Sequence, residues 1–134
     1  MILSWNMECL PYDVDKGLSN EKVIFGKEKR ELQSKAEIGL TGCDAAVAET
    51  GSIILVSAEG KPKTASLLPY THIALVEKNQ ILFGLEEYLT QKAHISEDYS
   101  QINIITGPSR TADIEMKLIL GMHGPGKLIV IIGP

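Results

Sequence analysis

The sequence predicts an α/β fold: a largely parallel sheet with flanking helices. Two observations carry this. Apolar, β-branched runs of strand length recur at Ser52–Ser57, His72–Glu77, Gln101–Thr106 and Lys127–Ile132. In the second half they alternate with helical stretches, and strand–helix–strand order argues for parallel strands joined by crossover helices. The 134 residues are 44% hydrophobic and 22% charged, which suffices for one domain with a real core and is too apolar for disorder. No repeat, low-complexity tract or linker divides the chain, so 1–134 is read as a single domain.

The elements follow in order. Ile2–Trp5 is a short strand, and Pro11, Asp13, Asp15 and Gly17 mark the loop after it. Lys27–Glu37 is rich in helix formers but has a thin apolar face. Gly39, Gly42 and Gly51 then punctuate small apolar residues up to the buried strand Ser52–Ser57, which ends in the turn Glu59–Pro62. The strand His72–Glu77 closes on the polar turn Lys78-Asn-Gln80. Leu85–Ala93 reads as a helix with Leu85, Tyr88, Leu89 and Ala93 on one face. After the strand Gln101–Thr106, Thr111 is placed as the N-cap of a further helix, with Asp113 in its first turn and Ile114, Leu118 and Gly121 on one face. Lys127–Ile132 is the last strand.

Several functions are excluded at this level. A formal charge of −4 offers no basic field for nucleic acid, and Glu28 and Glu31 interrupt the cluster Lys27, Lys29 and Arg30. The longest apolar runs are far short of a membrane span, and the N-terminus lacks the basic start of a signal peptide. The expected address is the cytoplasm, where Cys9 and Cys43 would be reduced thiols. Two separated cysteines cannot hold an iron–sulfur cluster alone. The glycine-rich Gly121-Met-His-Gly-Pro-Gly126 precedes a strand, whereas a dinucleotide loop follows one. No cofactor is expected, and with no HxxxH, HxH or CxxC spacing no metal site either.

The segment Ile105-Thr-Gly-Pro-Ser-Arg-Thr-Ala-Asp113 is the most informative. Gly107 and Pro108 turn the chain at a strand end, where ligands bind in open α/β sheets. The expected helix start, the hydroxyls of Ser109 and Thr111 and the fork of Arg110 would suit a carboxylate or phosphate. A capped helix with an exposed arginine explains the same residues equally well, and Asp113 opposes an anion. Glu49, in the apolar stretch Ala48-Glu-Thr-Gly51, is either a salt-bridged or hydrogen-bonded structural carboxylate or one held desolvated for chemistry, with the structural reading ahead. His72 and His123 each read first as core histidines.

Four stretches together resemble the LUD-domain family, in particular its lactate-utilisation protein C (LutC-like) branch. They are Glu37-Ile-Gly-Leu-Thr-Gly-Cys-Asp-Ala-Ala-Val-Ala-Glu-Thr-Gly-Ser52, Leu68-Pro-Tyr-Thr-His-Ile73, Ile105-Thr-Gly-Pro-Ser-Arg-Thr-Ala-Asp-Ile-Glu115 and Gly121-Met-His-Gly-Pro125. The resemblance implies a fold similar to the NagB/RpiA/CoA-transferase superfamily. It also implies a part in oxidising L-lactate to pyruvate beside partners that carry iron–sulfur clusters. By position it marks Glu49, Thr50, Gly51, His72, Ser109, Arg110, Thr111, Asp113 and His123, without assigning their roles. Tyr70 stands where a second proline is expected and Cys43 where alanine is usual. The chain begins about where the family's second half begins.

The leading expectation is therefore an accessory or ligand-binding protein of lactate oxidation, recognising a small carboxylate or phosphorylated ligand. The rival is a stand-alone enzyme of the CoA-transferase and sugar-phosphate isomerase kind, with Glu49 as nucleophile or general base. A purely structural partner is the third reading. A short N-terminal cover over apolar strands further predicts self-association as a homodimer.

Overall fold

The computed structural model describes residues 1–92, 101–108, 110–112, 118–120 and 124–134, with 92, 110–112 and 118–120 described by backbone alone. Its centre is a five-stranded sheet in the order β11-β6-β3-β1-β2, every neighbour parallel. The strands are β1 (Ile2–Ser4), β2 (Val23–Phe25), β3 (Ile38–Thr41), β6 (Thr71–Glu77) and β11 (Lys127–Gly133). A second sheet has the order β7-β4-β5-β8, from β4 (Ala45–Val47), β5 (Ser52–Ser57), β7 (Ile81–Leu82) and β8 (Gln101–Ile105). There β5 is antiparallel to both β4 and β8. The largely parallel sheet expected from the sequence is present.

Burial explains which strands are central. All three residues of β1 and all six of β5 are buried, so both faces of each strand are covered. The main core joins Leu3, Trp5, Leu40, Ile53, Leu55, Leu75 and Val76, and so ties the two sheets together. Helix α2 (Thr64–Leu67) packs on β3 at Gly39, where a side-chain methyl would run into the carbonyl oxygen of Ala65. That glycine is a point of close approach.

Three local expectations are corrected. The helical stretch Lys27–Glu37 is one turn, α1 (Arg30–Gln33), because only Gln33 is buried and its first turn has no side-chain cap. The amide of Gln33 is satisfied instead by the carbonyls of Gly26 and Glu28 and by the hydroxyl of Thr64. Helix α3 (Leu85–Lys92) forms, but it buries Tyr88 and leaves Leu89 57% exposed, so the two do not share a core face. At Thr111 and Leu118 the expected helix gives way to β9 (Arg110–Ala112) paired antiparallel with β10 (Leu118–Leu120), while its positions Asp113, Ile114 and Gly121 lie outside the described residues. Short apolar runs such as Leu118-Ile-Leu120 fit either period, and here cross-strand pairing wins.

Candidate functional site

The β4–β5 hairpin carries Glu49, Thr50 and Gly51 at its tip. Gly51 has φ of +66°, a left-handed value that glycine adopts without strain. The tip is anchored from below: the N–H groups of Ala48 and Glu49 donate to the carbonyls of Leu82 and Phe83. Because Ile53 pairs with Ile105 across β5 and β8, the end of β8 comes up beside this tip. Three hydroxyls then link the two. Thr50 Oγ1 lies 2.6 Å from Ser52 Oγ, which lies 2.7 Å from Thr106 Oγ1. The next residue, Gly107, turns the chain with φ of +96°.

The fold thus unites Glu49-Thr50-Gly51 with Gly107, motifs more than fifty residues apart in sequence. Arg110 and Thr111 follow in β9, while Ser109, Asp113 and His123 lie outside the described residues. The helix dipole expected at Thr111 does not exist, since Arg110–Ala112 is a strand. Ser52 and Thr106 were not singled out from the sequence. Their signal is a cross-strand pairing, invisible until the register of β5 and β8 is known.

Glu49 is exposed, so its carboxylate is neither buried nor desolvated. Its Oε2 lies over Gly84, where an added methyl would stand 3.4 Å away. Glu49→Gln is therefore expected to leave stability within about 0.5 kcal/mol of wild type in urea denaturation. A larger loss would show that the carboxylate has a structural partner.

His72 is not part of this cluster. It is fully buried near the start of β6, and its Nε2 lies 2.8 Å from Thr41 Oγ1 on neighbouring β3. Its Nδ1 is buried without a partner. The neutral ring with the proton on Nε2, donating to Thr41, leaves only a bare lone pair unpaired, the cheaper of the two defects. Burial lowers the ring's pKa from 6.5 to about 4. His72 is a core histidine.

Cys43 is similarly inert. Burial, then the charges of Asp44 and Glu77, push its thiol up to about 12, far from the thiolate that reactivity needs. At the carboxyl ends of β1 and β2, adjoining clefts of about 330 and 270 Å³ share Asn6 and Lys27. Glu8, Glu28 and Glu59 outnumber the one lysine there, so an anion is disfavoured at these strand ends. No helix among the described residues is long and apolar enough to cross a membrane, and these residues contain no cluster that could hold a metal ion.

The model of the LUD domain matches residues 14–132. A lactate utilization protein C from Macrococcus caseolyticus is 40% identical over 111 residues, covering 80% of this chain and 48% of that protein. The protein of the same name from Anoxybacillus flavithermus is 41% identical over 110 residues, with the same coverage. That from Bacillus subtilis is 37% identical over 139 aligned positions, 96% of this chain and 52% of its own. The chain thus spans about half the length of these relatives. The crystal structure of a DUF162 family protein from Deinococcus radiodurans superposes with a TM-score of 0.62 at 23% identity, covering 98% of this chain and 85% of that one. This last likeness concerns the fold.

Proposed function

The chain belongs to the LUD-domain family, and from that premise we propose that it serves lactate utilisation as an accessory or ligand-binding protein. The observation that carries this reading is the hydroxyl chain Thr50–Ser52–Thr106, which brings the Glu49-Thr50-Gly51 tip against the Gly107 turn that leads to Arg110. A small carboxylate or phosphorylated ligand would bind there. Arg110 supplies charge, and the hydroxyls of Thr50 and Thr106 supply hydrogen bonds. Ser109, Thr111, Asp113 and His123 are further candidates by motif. In the oxidation of L-lactate to pyruvate, electrons would leave through partners that carry iron–sulfur clusters.

Isothermal titration with L-lactate, pyruvate and inorganic phosphate tests this reading. Wild type is expected to bind at least one of them, and Arg110→Ala to weaken it about thirtyfold, about 2 kcal/mol. Equal titrations for the two proteins, or no heat with any of the three, would overturn the site.

One observation favours a second reading, a stand-alone enzyme of the CoA-transferase or sugar-phosphate isomerase kind. Glu49 stands exposed at the tip of its turn, where a substrate could reach it. Turnover of a CoA ester or sugar phosphate that Glu49→Gln abolishes while the fold is kept would establish this instead.

A further inference from the structure

We infer that β11 is the edge through which two copies of this chain pair about a two-fold axis, strand against strand. Among the described residues β11 bonds only to β6, so its other side presents open backbone groups along seven residues. Natural edges are guarded by charge, proline, bulges or brevity. Within Leu128-Ile-Val-Ile-Ile132 no such device occurs; Lys127 and Pro134 stand only at its ends. Val130, Ile131 and Ile132 are 41, 47 and 56% exposed. Since successive side chains point to opposite faces, apolar surface is bare on both sides of the sheet. A strand added at the edge would satisfy the open backbone groups, which a helix or loop laid on either face would not.

The sequence of the strand favours a second copy as that strand. A two-fold axis at Val130 sets Val130 against itself, Ile129 against Ile131, Leu128 against Ile132 and Lys127 against Gly133. Every central position meets an apolar partner, and no like charges are opposed. The rival edges fit less well. β2 is three residues long, and β8 alternates its isoleucines with Gln101 and Asn103. Val130 and Ile132 also wall an almost wholly apolar groove of about 360 Å³, shared with Ile53, Val76 and Ile81. Ala48, Gly51 and Ser52 line the same groove, so the second copy would stand near the candidate ligand turn. About 23 Å of edge covers less than the roughly 800 Å² per partner of a tight complex. Micromolar dissociation is therefore expected.

A charge-swap pair at the axis tests both the edge and its register. In sedimentation equilibrium from low micromolar to several hundred micromolar, wild type is expected to dimerise. Val130→Lys and Val130→Glu should each stay monomeric, and their equimolar mixture should recover a heterodimer. Circular dichroism checks that both variants fold. If either does not, backbone amide exchange of wild-type β11 decides instead, and is expected to slow as concentration rises. A wild type that is monomeric throughout overturns the inference. So does a dimer indifferent to both substitutions, or amide exchange independent of concentration. None of these readouts needs a ligand, so failure here leaves the ligand reading untouched.

Discussion

Gly39→Ala is expected to cost about 3 kcal/mol or more, enough to remove much of the stability of a domain this size. The cause is contact, not backbone conformation. The new methyl would occupy the place of the Ala65 carbonyl, with Pro69 Cγ only 3.2 Å away. Neither is the yielding end of a long side chain. Relief requires that α2 lift from β3, which would expose Ala65 and Ser66, now buried. Gly51→Ala is the informative contrast. No atom lies within 4 Å of its added methyl, but its φ of +66° is left-handed, so a loss of about 1 to 2 kcal/mol is expected from strain alone. Urea denaturation of both variants separates the effects. A Gly39→Ala protein no less stable than Gly51→Ala would mean that α2 does not rest on β3.

Acid is expected to destabilise the fold through His72. In the unfolded chain the ring titrates at 6.5, and in the fold at about 4. Between those values the unfolded state binds the extra proton, so stability is full above pH 6.5 and falls as pH drops towards 4. The gap corresponds to about 3 kcal/mol once pH 4 is reached. Protonation at Nδ1 would place an N–H with no acceptor in the core, beside strands β3 and β11. Denaturation curves from pH 7.5 to 4 should therefore fall more steeply for wild type than for His72→Gln. The carboxylates are common to both proteins and drop out of the difference. By NMR, the His72 ring resonances should hold still through pH 6. Titration near 6.5, or parallel curves for the two proteins, would contradict the buried neutral ring.

The strands legible in the sequence were those whose own residues decide the matter. Ser52–Ser57 and the run from Lys127 are apolar and β-branched, with no rival period, and both form strands. Gly107 was legible as a turn at a strand end, whereas the positive φ of Gly51 and Gly107 emerged only with the structure. The stretch after Thr111 was not legible in this way. Arg-Thr-Ala and Leu-Ile-Leu are too short to fix a period, and only the partner strand chooses between helix and hairpin. Exposure of Glu49 was equally hidden, because apolar neighbours in sequence do not bury a residue at the tip of a hairpin.

Composition, strand-length runs and four ordered motifs determined the fold class and the family of this chain without reference to its neighbours in space. Tertiary structure alone decided which motifs meet. The register of β5 against β8 sets Ser52 beside Thr106 and joins the two glycine turns, while that of β6 against β3 buries His72 on Thr41 instead. Hydrophobic periodicity is a local property of a few residues. Register is set by contacts between segments distant in sequence, and those contacts are chosen only when the whole core packs.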